Sequence, residues 1–245
     1  MKKVRYKEKN LILVLIPLLV LGILFSMFLV SAVDTPDSVE AVANETKTTG
    51  SGQMINISGG YISKLNVSAN AQNPHWKAFV GWVHGSFTLD DSSGNTIYDW
   101  TMTSIGGEIF ATRIDSTIGW SSVECADLTS VENENTILHH TNDEDNISAT
   151  FDFSGTHNTL VVGGQSMAAN SCPTLNTHVS DLEQDSTFEE VILKDTNEYL
   201  IFTTILEENS TGFDGSGYDF QMLVPENGSE SWSGSIPYYI YVELS

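Results

Sequence analysis

Basic residues are scarce in this chain. It has 10 Lys and Arg among 245 residues, and five of them, Lys2, Lys3, Arg5, Lys7 and Lys9, fall in the first nine positions. Beyond residue 32, five basic residues face 31 acidic ones, a net charge of −26. A surface this negative repels nucleic acid and anionic lipid head groups, which argues against both as partners of that region. Cysteines number only two, Cys125 and Cys172, too few for a structural zinc site unless histidines join them. The six histidines, His75, His84, His139, His140, His157 and His178, show neither His-Glu-x-x-His nor His-x-His spacing, so a zinc enzyme is not indicated. Gly-x-Ser-x-Gly elbows and phosphate-binding glycine loops are absent as well. Neither internal repeats nor heptads appear.

The chain does contain a 20-residue apolar run, Leu11–Val30, directly after the basic cluster. Basic residues stay on the cytoplasmic side of a membrane, so the pattern places everything after residue 30 outside. Two readings of the run stay open. About 20 apolar residues suffice for an uncleaved transmembrane anchor. Val30-Ser31-Ala32 also fits the small-residue site of a secretory signal, with cleavage near Ala32. The topology is the same in both cases. Residues 33–52, VDTPDSVEAVANETKTTGSG, lack apolar periodicity and read as a flexible polar stalk.

Residues 53–245 read as one all-β domain, a sandwich or jelly roll. Short runs rich in Val, Ile, Thr, Tyr, Phe and Trp recur between Gly, Asn, Asp and Ser clusters. Strands are expected at Tyr61–Ser68, which alternates apolar and polar residues, and at Trp76–Val83, whose apolar density suits a strand covered on both faces. A hairpin is expected from Phe87 to Trp100 around the polar loop Asp90–Asn95. Further strands are expected at Glu108–Thr112, Ala149–Phe153, Thr159–Val162, Tyr199–Leu206, Phe220–Val224 and Tyr238–Leu244. Thr129 with Glu132 fits a capping box for a short helix over Val131–His140.

In an oxidising compartment Cys125 and Cys172 are expected to form a disulfide. Six Asn-x-Ser/Thr sequons, at Asn44, Asn56, Asn66, Asn146, Asn209 and Asn227, are candidate N-glycosylation sites if the chain is exported. Calcium is the one cofactor the sequence raises. Asp214, Ser216 and Asp219 in FDGSGYDF, and Asp90, Asp91 and Asn95 in the hairpin loop, offer oxygen ligands. Neither set matches an EF-hand, and acidic Gly-containing loops are ordinarily turns. Carboxylates cluster at Asp143-Glu144-Asp145, Glu189-Glu190 and Glu207-Glu208, but no pair is marked as catalytic. Trp82, Trp100, Trp120 and Trp232, with Tyr238, Tyr239 and Tyr241, suit either a core or a sugar-stacking platform.

The segments HWKAFVGWVHGSFTLDDSSGNTIYDW (75–100), GEIFATR (107–113), WSSVECA (120–126), FDGSGYDFQMLVPE (213–226) and YYIYVEL (238–244) resemble a family of exported archaeal cell-surface proteins. That family has no assigned activity, so the resemblance implies an archaeal envelope setting and transfers no catalytic residue. Three functions remain in view: a non-enzymatic structural or adhesive envelope protein, a carbohydrate-binding or carbohydrate-active jelly roll, and an extracytoplasmic subunit of a filament or membrane complex. The corresponding partners are the membrane, through an uncleaved N-terminal helix, and envelope proteins or glycans.

Overall fold

A computed structural model of the chain describes residues 33–48, 50–115 and 117–245. The basic cluster, Leu11–Val30 and the site near Ala32 lie outside the described residues. Among the described residues no helix is long and apolar enough to cross a membrane.

In chain order the strands are β1 (Trp76–Gly81), β2 (Ser86–Asp90), β3 (Thr96–Thr101), β4 (Gly107–Thr112), β5 (Glu124–Cys125), β6 (Leu160–Val162), β7 (Gln165–Met167), β8 (Thr174–Leu175), β9 (His178–Val179), β10 (Leu182–Glu183), β11 (Glu190–Lys194), β12 (Leu200–Ile205), β13 (Ser210–Thr211), β14 (Gly217–Tyr218), β15 (Phe220–Pro225) and β16 (Tyr239–Leu244). Two helices, α1 (Leu128–Ile137) and α2 (Ile147–Thr150), lie between β5 and β6. The fold is thus mostly strand with few helices. Among the described residues the sheets are open, and none closes into a barrel.

The central sheet is antiparallel, ordered β16-β4-β12-β11-β5, with β8 also paired to β11. Successive side chains of a strand point to opposite faces, and here both faces are covered. Ile109, Ala111, Ile192, Leu200 and Phe202 pack on one side with Val131, Leu138, Ile147 and Phe151 of the helical region and Met222 and Val224 of β15. Phe110, Val191, Leu193 and Ile201 pack on the other with Ile118, Val123, Leu160, Val162, Met167 and Cys172. Double burial explains why β11 and β12 are almost wholly buried, Glu190 and Lys194 included. The Lys194 ammonium is matched by Asp127 at 2.7 Å, Glu198 at 2.9 Å and Glu124 at 3.6 Å.

A second antiparallel ribbon pairs β1 with β15, from Trp76 opposite Pro225 to Gly81 opposite Phe220. Among the described residues β15 alone pairs with β1; Ala78 and Val80, which share one face, are exposed, so the strand is not covered on both faces as expected. The β2–β3 hairpin forms where expected, with the Asp91 carboxylate accepting the Ser93 and Asn95 backbone N–H groups at 2.8 and 2.9 Å. Gly94 supplies the positive φ, 78°, that the turn requires.

Several expectations need correction. Tyr61–Ser68 forms no strand: residues 37–48 and 50–74 are exposed, and no strand falls among them. The packed body starts near Asn73, where the Asn73 amide donates to Asp145. Upstream, Asp34 and Val242 exchange backbone hydrogen bonds, tethering the start of the extended segment to β16. Ala149–Phe153 is not a strand, because the Asn146 side chain accepts the Ala149 N–H at 2.7 Å and caps α2. The box of α1 is Asp127 with Ser130, not Thr129 with Glu132. The Asp127 carboxylate accepts the Ser130 N–H at 2.9 Å, and the Ser130 hydroxyl accepts the Asp127 N–H at 3.2 Å. The helix stops before His140 because His139 turns left-handed, φ 58°, and the His140 N–H reaches back to the Asn135 carbonyl at 2.8 Å.

The expected disulfide is present: Cys125 of β5 is bonded to Cys172, across a separation of 47 residues. It ties the edge of the central sheet to the segment that covers one face. Replacing both cysteines with serine is expected to cost about 3–4 kcal/mol by the loop-closure argument. Chemical denaturation of the two proteins measures this, and an unchanged midpoint would contradict it.

Candidate functional site

Of the candidate calcium ligands, Asp214 and Asp91 shape their own turns. Asp214 accepts the Ser216 N–H at 2.8 Å, the Ser216 hydroxyl at 3.2 Å and the Tyr218 hydroxyl at 3.1 Å. Hydrogen bonds from the Ser216 backbone, above all, hold its carboxyl below the usual range. Asp91 is likewise lowered, chiefly by the Asn95 side chain. Asp90 accepts from Thr88. Asp219 is buried and serves elsewhere, accepting the Val83 and Asn209 N–H groups at 2.9 and 2.8 Å. Among the described residues no group of three or more Asp, Glu, His or Cys is placed to hold a metal ion.

The aromatic candidates also divide. Trp120 packs between Phe110 and Tyr241, with ring centroids at 5.0 and 5.2 Å, and is core. Tyr238 packs on Phe79 and Phe202 and donates its hydroxyl to the Pro225 carbonyl. Trp82 is 52% exposed and Trp100 49%, while Trp232 and Tyr239 are also exposed. Trp82 instead joins Tyr218, at 5.4 Å, and Phe213 stacks on Tyr218 at 6.1 Å. These two partners are not apparent from the sequence.

The sequons differ in accessibility. Asn44, Asn56 and Asn66 lie on the exposed extended segment, and Asn209 is exposed at the turn before β13. Asn146 caps α2. Asn227 is buried, and its side chain accepts the Ser229 N–H at 2.9 Å.

Three constellations carry chemistry. The first is a buried carboxyl pair that sequence reading missed. Glu108 and Glu243 sit directly opposite on β4 and β16 and therefore point to the same face. Exposure is 9% for Glu108 and 1% for Glu243. Glu243 accepts the Gly163 N–H at 2.9 Å through one oxygen, and its other oxygen has no partner among the described residues. Burial first, and then the Glu243 charge, push Glu108 up to about 7. Glu190 lies on the other face, accepting the Leu223 N–H, and burial holds its carboxyl well above the usual range. None of these carboxyls lines either of the two clefts below, so they do not form a sugar-cleaving pair at one.

The second is His75 with Asp145. The ring Nδ1 stands 3.0 Å from the carboxylate, which also accepts the Asn73 amide. The Asp145 carbonyl accepts the Trp76 indole N–H at 2.8 Å. Burial would raise the Asp145 carboxyl, but the His75 and Asn73 hydrogen bonds outweigh it and the net direction is down. His75 borders a polar cleft of about 610 Å³ that also includes Thr141, Ser229 and Ser231. A carboxylate-oriented imidazole is the geometry of a general base. Among the described residues, however, no hydroxyl of the cleft hydrogen-bonds the ring. The pair's evident work is to join the start of β1 to the loop before α2.

The third is a cleft of about 360 Å³ at the base of the hairpin, bordered by Trp82, His84, Ser104, Glu208, Asn209 and Asp219. Here the residue types are mixed: one aromatic face, several polar heads and a backbone pinned by Asp219.

No protein-family model matches the chain, and searches for similar curated proteins and for similar solved structures return no match.

The carboxyls give a signed pH dependence. A folded-state value raised from 4.5 to about 7 means that the folded protein binds more protons than the unfolded chain within that window. The stabilisation is complete below the lower value and is lost as pH rises through the upper one. Melting temperature is therefore expected to fall between those pH values, with up to about 3 kcal/mol at stake from Glu108. Glu108→Gln is expected to flatten the profile. A melting temperature that rises over this window would contradict the assignment.

Proposed function

We propose that the chain is an exported, non-enzymatic surface protein with a structural or adhesive role in a cell envelope. The reading joins the N-terminal sequence pattern, the sequon-bearing extended segment, the disulfide and the acidic β-domain. The disulfide fits an oxidising compartment. On this reading Leu11–Val30 anchors the chain, or it is secreted after cleavage near Ala32. The β1–β15 ribbon packing over one face of the central sheet supports a two-layer sandwich.

One observation carries the adhesive role. In the β2–β3 hairpin every residue of both strands is exposed. Phe87 faces Trp100 and Leu89 faces Tyr98, so four large apolar side chains share one face, while Thr88 and Asp99 share the other. Exposure of the four is 47, 49, 55 and 59%. A two-stranded hairpin with an apolar face turned to solvent is marginal on its own in water. A contiguous apolar patch of this kind marks an interaction site. The partners that suit it are envelope proteins or glycans, and the strong negative charge disfavours nucleic acid.

Co-sedimentation of the full chain with isolated cell envelopes tests the reading. Replacing Tyr98 and Trp100 together by serine is expected to reduce the bound fraction several-fold while leaving the thermal melt of the body unchanged. Equal binding by the two proteins, or no binding by either, would remove the adhesive reading.

A further inference from the structure

The cleft at the base of the hairpin has the construction of a binding site. Asp219 is its keystone. One carboxylate oxygen holds the Val83 N–H and the other the Asn209 N–H, so a single buried side chain fixes two segments that border the cleft. Its backbone adds two further ties, donating to the Gly81 carbonyl at 2.8 Å and accepting the Glu207 N–H at 2.9 Å. A site pinned in this way spends little entropy on ordering when a ligand arrives.

The groups that border it are amphipathic. The Trp82 indole N–H is spent on the Gly217 carbonyl at 3.0 Å, which orients the ring, while half of the side chain stays open to solvent. Tyr218 and Phe213 buttress the ring in series. His84, Ser104 and Glu208 have no hydrogen-bond partner among the described residues and are exposed. A fixed aromatic face beside unspent donors and acceptors matches a pyranose, which has an apolar C–H face and a rim of hydroxyls. The Glu208 carboxylate at the rim and the −26 charge of the region beyond residue 32 oppose acidic sugars and phosphates.

We propose that this cleft binds a neutral saccharide, with the Trp82 indole stacked on a sugar ring and His84, Ser104 and Glu208 hydrogen-bonding its hydroxyls. The assignment deepens the adhesive reading above and rests on it: the hairpin supplies apolar contact with the envelope, and the cleft supplies selectivity for its glycans.

Tryptophan-fluorescence titration of the full chain in mild detergent, with neutral gluco-, manno-, galacto- and xylo-oligosaccharides, tests it. At least one series is expected to give a saturable change, and Trp82→Ala is expected to weaken binding roughly tenfold. Trp232→Ala, which removes an exposed indole elsewhere, is expected to bind as the parent does. Glu208→Gln, which removes a carboxylate acceptor at the rim, is expected to weaken binding of the same neutral series several-fold. Trp82→Phe, which keeps an aromatic face, controls for folding and should retain most of the affinity. No saturable change with any neutral series, or unchanged binding in Trp82→Ala, would overturn the proposal. Envelope co-sedimentation read in parallel separates the two readings. Sedimentation of the parent without oligosaccharide binding defeats the cleft and leaves adhesion standing; absence of both defeats both.

Discussion

The pairing of β11 with β12 is the constraint on which the rest of the molecule depends. These strands form the middle of a sheet covered on both faces, so every side chain they carry must be accommodated away from water. Apolar residues do this by packing, and two separate clusters result, one on each face. The helical region and β15 supply one cover. The segment from Leu160 to Cys172 supplies the other, and the Cys125–Cys172 bond ties it to the sheet edge. Burial of polar groups in such a sheet is costly unless they find partners. Lys194 finds three carboxylates, including that of Asp127, which also caps α1. One charged group thereby couples the start of a helix to the end of a central strand.

The carboxyls meet the same constraint differently. Among the described residues Glu190, Glu243 and Glu108 have no basic partner, and the first two each leave an oxygen unpaired. A protonated carboxyl pays far less for burial than an ionised one. Burial accordingly raises the Glu108 and Glu190 carboxyls, while the exposed carboxylates keep the surface strongly negative. Both tendencies arise from the same excess of Asp and Glu, and they differ only in where each side chain sits.

Much of the strand pattern is legible in the sequence. Expected strands at Glu108–Thr112, Tyr199–Leu206, Phe220–Val224 and Tyr238–Leu244 match β4, β12, β15 and β16 to within about two residues. The central strand β11 is not legible. Its apolar core, Val191-Ile192-Leu193, is only three residues long and is bracketed by Glu190 and Lys194, which look like surface until their tertiary partners are seen. Tyr61–Ser68 shows the opposite failure. Alternation describes a face, but a strand also needs an edge to pair with, and among the described residues none reaches this segment. At residues 146–150 a local side-chain cap overrides the strand preference of the following aromatic residue. The site was legible only in fragments: Trp82 as an aromatic and Asp219 as a turn acid. That Asp219 holds the backbone beside Trp82 follows from the pairing of β1 with β15, which brings their chain segments together.

Function follows from what this arrangement leaves uncovered. The body buries three carboxyls, Glu108, Glu190 and Glu243, and presents an aromatic hairpin, a pinned amphipathic cleft and an exposed segment bearing three accessible sequons. These are the features on which the proposed binding role rests. The claim beneath this account is that the domain stands outside the membrane. Protease shaving of intact cells, followed by mass spectrometry without reductant, tests it most directly. The account predicts release of peptides from residues 33–245, with Cys125 and Cys172 linked, glycans on Asn44, Asn56 or Asn66, and Asn227 bare. Complete protection of those peptides in intact cells, with both cysteines reduced, would contradict it.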